Sequence, residues 1–172
     1  MNQPPPSSIL LTGITGTACG RLAVEMLCSG VRLHALMRAR DLAAAGRRLE
    51  AVFCTYSVPS LLDKVNLLLG DVTSSGFGLA DLPEPISMIV HGAACVAFSA
   101  ARDQELFRVN VLGTRHALDL ATRLQVPLVF ISTAYVAGNR QGVVHEHELD
   151  QGQGFNNAYE QSKAEAEGLV RR

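Results

Sequence analysis

Apolar residues along this chain fall into two alternating patterns. Short, mostly apolar runs at residues 9–11, 65–69, 86–90 and 126–131, and an alternating stretch at 31–37, have the length of buried strands. Between them, apolar positions recur every three or four residues. Leu22, Ala23, Met26 and Leu27 predict a helix from Ala18 to Cys28, stopped at Gly30. Asp41 is placed to cap a second helix reaching to about Phe53. Leu106, Val109, Gly113, Ala117, Leu120 and Ala121 form one stripe of a long helix over 103–124. A glycine-rich loop over 138–155 precedes a last helix starting near Asn157. The order β-α-β-α-β, then β-α-β-α, predicts an α/β domain over 9–172, with a parallel sheet of about five strands covered by helices on both faces. Residues 1–8, rich in Pro and Ser, read as a disordered leader.

Composition narrows the class. With 172 residues, 48% of them apolar, the chain is one domain with a sizeable core. The net charge of −1 gives no basic excess for nucleic acid or an anionic membrane. The leader has no basic stretch, and the apolar run at 9–11 is too short for a signal peptide or a membrane span, so a cytoplasmic location is expected. Cys19, Cys28, Cys54 and Cys95 lack C-x-x-C spacing and read as buried thiols of a reducing compartment.

The segment from Thr12 to Gly20 joins the first strand to the first helix, the context a dinucleotide-binding fingerprint requires. Gly13 can supply the tight turn and Gly16 the close approach to a pyrophosphate. Thr15, Thr17 and Ala18 complete the approach to the helix N-terminus, where the phosphates would rest. Cys19 stands where the third glycine of the pattern belongs. The other reading is that these glycines only punctuate a strand–helix turn. An NAD-type site places a carboxylate about twenty positions on, at the end of the second strand. Here that place holds Met37-Arg38-Ala39-Arg40. A guanidinium can hold a 2′-phosphate by paired hydrogen bonds, so Arg38, with Arg40 or Arg48, points to NADP(H). Solvated surface arginines are the alternative.

Tyr159 and Lys163, at i and i+4, share one helix face. A neighbouring ammonium lowers the pKa of a phenol, which suits the pair to moving a proton at a carbonyl or alcohol oxygen. Thr133 lies just past the fifth strand, where a parallel sheet opens its ligand crevice, and could bond the same oxygen. A strand-end hydroxyl can instead cap backbone groups, a role that fits Ser132. Asp71 can reach an adenine edge or serve as a turn residue. Asn110 interrupts its apolar stripe, either to fix a kink or a water chain or as an ordinary satisfied amide. His145-Glu146-His147 lacks a third ligand and reads as solvated; no metal site is expected.

Taken together, Thr12-Gly13-x-x-Gly16, Gly70-Asp71-Val72, His91-Gly92-Ala93-Ala94, Val109-Asn110-Val111-x-Gly113-Thr114, the stretch from Ser132 to Gly138 and Tyr159-x-x-x-Lys163 resemble the extended short-chain dehydrogenase/reductases, across nearly the whole chain. The arginine turn around Arg38, Cys95-Val96-Ala97-Phe98 and Gly154-Phe155-Asn156-Asn157 look most like the thioester reductase and fatty acyl-CoA reductase branch. The resemblance implies a Rossmann doubly wound fold and NADPH-dependent reduction of an acyl thioester, on coenzyme A or a phosphopantetheine carrier protein, to an aldehyde or alcohol. It implies Thr133, Tyr159 and Lys163 as the catalytic set, Arg38 and Arg48 at the 2′-phosphate, Asp71 and Val72 flanking adenine, and Ala93 and Ala94 along the cofactor path. Two residues depart from the pattern: Cys19 replaces a glycine, and Gly92 stands where asparagine is usual.

Relatives of this type continue into a sixth strand and a C-terminal substrate portion, so the sheet is expected to stop after its fifth strand, with an edge open to self-association. Two other readings remain: a nucleotide-sugar epimerase or dehydratase, which would hold NAD tightly and against which Arg38 speaks, and a catalytically silent NADP-binding module.

Overall fold

The computed structural model describes residues 8–82, 85–97 and 100–172. Most of the leader, and Phe98, therefore lie outside the described residues. Ser8 does not belong to the leader: it is buried and opens the first strand. The Ser87 hydroxyl accepts from the Ser8 amide at 3.2 Å and donates to its carbonyl at 2.6 Å, which pins that strand at its start.

The elements run β1 (Ser8–Thr12), α1 (Thr17–Cys28), β2 (Arg32–Met37), α2 (Leu42–Thr55), β3 (Val65–Leu69), β4 (Met88–His91), α3 (Asp103–Phe107), α4 (Gly113–Leu124), β5 (Leu128–Phe130) and α5 (Ala158–Val170). All strands are parallel in the order β3-β2-β1-β4-β5. This is the Rossmann doubly wound arrangement, and the order reverses between β1 and β4.

Period-two alternation sorts β1 between two cores. Ile9 and Leu11 face α1 and α2 with Leu33, Ala35, Leu49 and Phe53. Leu10 faces α4 with Leu36, Ile89, Ala117 and Leu120. The Asp41 carboxylate accepts from the Ala44 amide at 2.6 Å and starts α2, as its position predicts.

The long helix expected over 103–124 is present, with its hydrogen-bond pattern widened at one turn. A π-helical turn at Arg108–Leu112 separates α3 from α4. Within it the Asn110 carbonyl takes the Thr114 hydroxyl at 2.6 Å. The cysteines also divide. Cys19 and Cys95 are buried, but Cys28 and Cys54 are exposed, because they end α1 and α2 on the solvent side. Among the described residues no helix is long and apolar enough to cross a membrane.

Candidate active site

Parallel pairing brings the carboxyl ends of all five strands to one side of the sheet. A cavity of about 380 Å³ opens there, at the reversal point between β1 and β4. Gly13, Thr15 and Gly16 form one wall, Arg38 and Arg48 a second, Asp71 and Val72 a third, and Ala93 and Ala94 a fourth. Thr17 and Ala18 start α1 outside this wall, both exposed.

The loop geometry suits a pyrophosphate. The Gly16 amide closes a tight turn on the Gly13 carbonyl at 2.9 Å. Gly13 has a φ of +81°, and a Cβ there would strike the Gly92–Ala93 peptide. The loop backbone therefore packs on that peptide more closely than any side chain would allow. Gly16 then serves as the N-cap of α1 with no side-chain cap bond, leaving the helix end open to an anion.

The arginine wall is internally braced. Arg48 Nη1 donates to the Arg38 carbonyl at 2.7 Å. Arg38 Nη1 lies 3.7 Å from Asp71 Oδ2, with its own side chain mostly exposed. Asp71 also accepts from the Thr73 amide and hydroxyl at 2.8 and 2.9 Å. Burial alone would raise the Asp71 pKa. The Thr73 bonds and the charges of Arg38 and Arg108 outweigh it and hold the carboxyl below its ordinary range.

Beneath the loop lies a polar assembly that sequence reasoning did not assign. Thr12 Oγ1 accepts from the Ala93 amide at 3.1 Å and lies 2.8 Å from His91 Nδ1. The other ring nitrogen, Nε2, has no partner among the described residues. Burial, aided by the nearby Lys163 charge, lowers the His91 pKa to about 3, so the ring stays neutral. It stacks between Phe77 and Phe130, with centroids 6.4 and 6.0 Å away. The available signal was a polar residue ending an otherwise apolar strand.

Of the predicted proton-handling residues, Tyr159 and Lys163 lie on α5, and Thr133 lies just past the end of β5. Asn157 and Glu160 start α5 as a cap: Asn157 Oδ1 accepts from the Glu160 amide at 3.0 Å, and Glu160 reaches back to Asn156 and Asn157. Tyr159, half-buried, sits in that first turn. One turn on, Lys163 is only 3% exposed. Its Nζ donates to the Ile131 carbonyl at 2.8 Å and lies 4.2 Å from the Phe130 ring centre. Burial lowers its pKa to about 8 against the opposing pull of Glu167 and Cys19. Thr133 is half-buried and accepts from the Tyr135 amide at 3.3 Å, so it caps the turn that follows. Ser132, expected to cap, instead donates to Glu167.

Asn110 is buried and fully bonded. It accepts from the Cys95 amide at 2.8 Å and donates to the Cys95 carbonyl at 3.1 Å and the Ser162 hydroxyl at 2.9 Å. His145 and His147 are exposed, with rings stacked 5.5 Å apart. No group of three metal-ligating side chains occurs among the described residues.

A family model described as male sterility protein, an NAD-binding domain, matches residues 11–172. An alcohol-forming fatty acyl-CoA reductase of Simmondsia chinensis is 29% identical over 175 residues, covering 87% of this chain and 35% of that protein. The terminal R domain of the myxalamid PKS-NRPS biosynthetic pathway superposes with a TM-score of 0.85 at 32% identity, over 99% of this chain and 46% of that one. A thiolation-reductase di-domain from an archaeal non-ribosomal peptide synthetase superposes with a TM-score of 0.80 at 28% identity, over 95% of this chain and 47% of that one. The chain thus spans less than half the length of each of these relatives.

Proposed function

Because this chain belongs to the male sterility protein family of NAD-binding domains, a branch of the extended short-chain dehydrogenase/reductases, we propose that it is the dinucleotide-binding and proton-handling part of an NADPH-dependent reductase of acyl thioesters. The observation that carries this reading is the buried Lys163, one helical turn from Tyr159, together with a crevice in which Arg38, and not a carboxylate, follows the end of β2. The thioester would be carried on coenzyme A or on the phosphopantetheine arm of a carrier protein. Similarity to an acyl-CoA reductase and to carrier-linked reductase domains supports both donors.

Each residue then has one task. Arg38, braced by Arg48 at its carbonyl, binds the 2′-phosphate, while Asp71 and Val72 flank the adenine. Gly13, Thr15, Gly16, Thr17 and Ala18 present the loop and the N-terminal turn of α1 to the pyrophosphate, and Ala93 and Ala94 line the way toward the nicotinamide. NADPH, when bound, supplies a hydride to the acyl carbon. Tyr159 gives its phenolic proton to the carbonyl oxygen as charge builds there, and Lys163 stabilises the phenolate left behind. The Thr133 hydroxyl donates to the same oxygen. Loss of the thiol from that carbon leaves an aldehyde.

Thermal unfolding with NADPH and with NADH tests the cofactor assignment, since a ligand of the folded state raises the midpoint. NADPH should raise it more than NADH. NADPH consumption with acyl-CoA and with acyl-carrier protein then tests the reaction. A folded, NADPH-binding protein that oxidises the cofactor with neither thioester would overturn it.

A further inference from the structure

We propose that Ser162 is a positioning residue that ties the Tyr159 turn of α5 to the wall of the dinucleotide crevice. The inference rests on the reading that Tyr159 and Lys163 handle the proton in thioester reduction. It adds how the first of them is held in register with the crevice.

Ser162 has no solvent exposure and Asn110 has 1%. Asn110 Nδ2 donates to Ser162 Oγ at 2.9 Å, and Ser162 Oγ donates onward to the Tyr159 carbonyl at 2.8 Å. The other side of the Asn110 amide is closed on both backbone groups of Cys95, which lines the crevice next to Ala94. One continuous chain of hydrogen bonds therefore runs from the crevice wall, through the π-helical turn, to the backbone of Tyr159. Such chains polarise and stiffen one another in a low-dielectric interior.

Placement argues for position rather than for bulk stability. Tyr159 is the second residue of α5, in a turn that frays unless anchored. The Asn157 cap fixes that turn within its own segment, whereas the Ser162 chain is a connection from it to the cofactor wall. A π-helical turn re-aims side chains that a regular helix would carry elsewhere, and here it directs Asn110 between Cys95 and Ser162. The Ser162 hydroxyl satisfies one Asn110 donor and one lone pair of Tyr159 together. An apolar residue of the same size fills the space and breaks the connection.

The test compares Ser162→Ala, Ser162→Thr and the parent in the full-length protein. With Ser162→Ala, kcat for an acyl thioester should fall about tenfold or more, while the NADPH Kd changes less than about twofold. Ser162→Thr, which keeps the hydroxyl, should recover most of kcat. An unchanged kcat, or kcat and cofactor affinity falling in equal proportion, overturns the proposal. Should Ser162→Ala fail to fold, the same split is read on Ser162→Cys, which keeps a weak donor of similar size. Amide exchange across α5, measured with no substrate, separates this inference from the functional reading. If the parent protein reduces no thioester, faster exchange at Tyr159 and Lys163 in the alanine variant sustains the connection while the functional reading falls; unchanged exchange sinks the connection.

Discussion

The Cys19 thiol occupies the space into which any side chain at position 92 would project. A Cβ built on Gly92 would meet Cys19 Sγ closer than real atoms approach, and Ile131 Cγ1 at 3.3 Å. The two departures from the family pattern are therefore one packing arrangement: the sulfur fills what the missing side chain vacates. Gly92→Ala should destabilise the fold by about 1–3 kcal/mol through overpacking. Cys19→Ala in that background should recover most of the loss. Denaturant midpoints of both single variants and the double variant would measure the coupling, and additive effects would disprove it.

Arg38 and Asp71 share the mouth of the crevice, so the 2′-phosphate proposed to bind there would compete for the same guanidinium. Replacing Arg38 by Ser should weaken NADPH at least about tenfold through loss of charge-assisted hydrogen bonds. NADH, lacking that phosphate, should change little. Calorimetric titration with each cofactor checks this, and equal losses for both would place Arg38 outside the phosphate site.

Lys163 sets an alkaline limit. Its folded-state pKa of about 8 lies below the ordinary 10.5. On the proposed role of Lys163, turnover should fall as pH rises through about 8, where its ammonium is lost. The effect on stability has the opposite sign. Between about 8 and 10.5 the unfolded chain holds a proton that the native chain has released, so the cost of burying this charge is relieved as pH rises. The parent protein should gain on Lys163→Met across that window in denaturant titrations.

His91 sets an acid limit. The unfolded imidazole protonates near 6.5 and the folded one near 3. Stability is lost progressively as pH falls from 6.5 towards 3, by an amount on the order of several kcal/mol. His91→Gln should flatten that slope, at the expense of a lower plateau at neutral pH from lost stacking. Unfolding free energies across pH 4–7 would show it, and parallel curves for variant and parent would refute it.

The strands and the crevice were legible because they rest on local pattern. Val65–Leu69 reads as a strand from its apolar run alone, and the glycines after β1 place the loop. Less legible were features set by partners distant in the chain. The apolar run at 86–90 suggests a strand from Ile86, yet the Ser87 hydroxyl turns to Ser8 and pairing begins at Met88. The π-helical turn follows from where Asn110 finds partners, at Cys95 and Ser162, which no helical period encodes. Cys19 and Gly92 were each visible as departures, but their contact spans two elements. The short lysine motif marked Lys163 without its acceptor, Ile131, which lies a whole loop earlier.

The crossover that creates the crevice also governs how the chain reaches it. β1 meets β4 only by closing a loop of 79 residues, seen in the Ser8–Ser87 and Thr12–His91 contacts. Contacts that remote raise the contact order and slow folding, since loop entropy is lost before pairing rewards it. β2 meets β1, and β3 meets β2, through shorter separations, and these strands can assemble sooner. In refolding, helical signal should therefore return ahead of cofactor affinity, which waits for Gly13 to seat against the Gly92–Ala93 peptide.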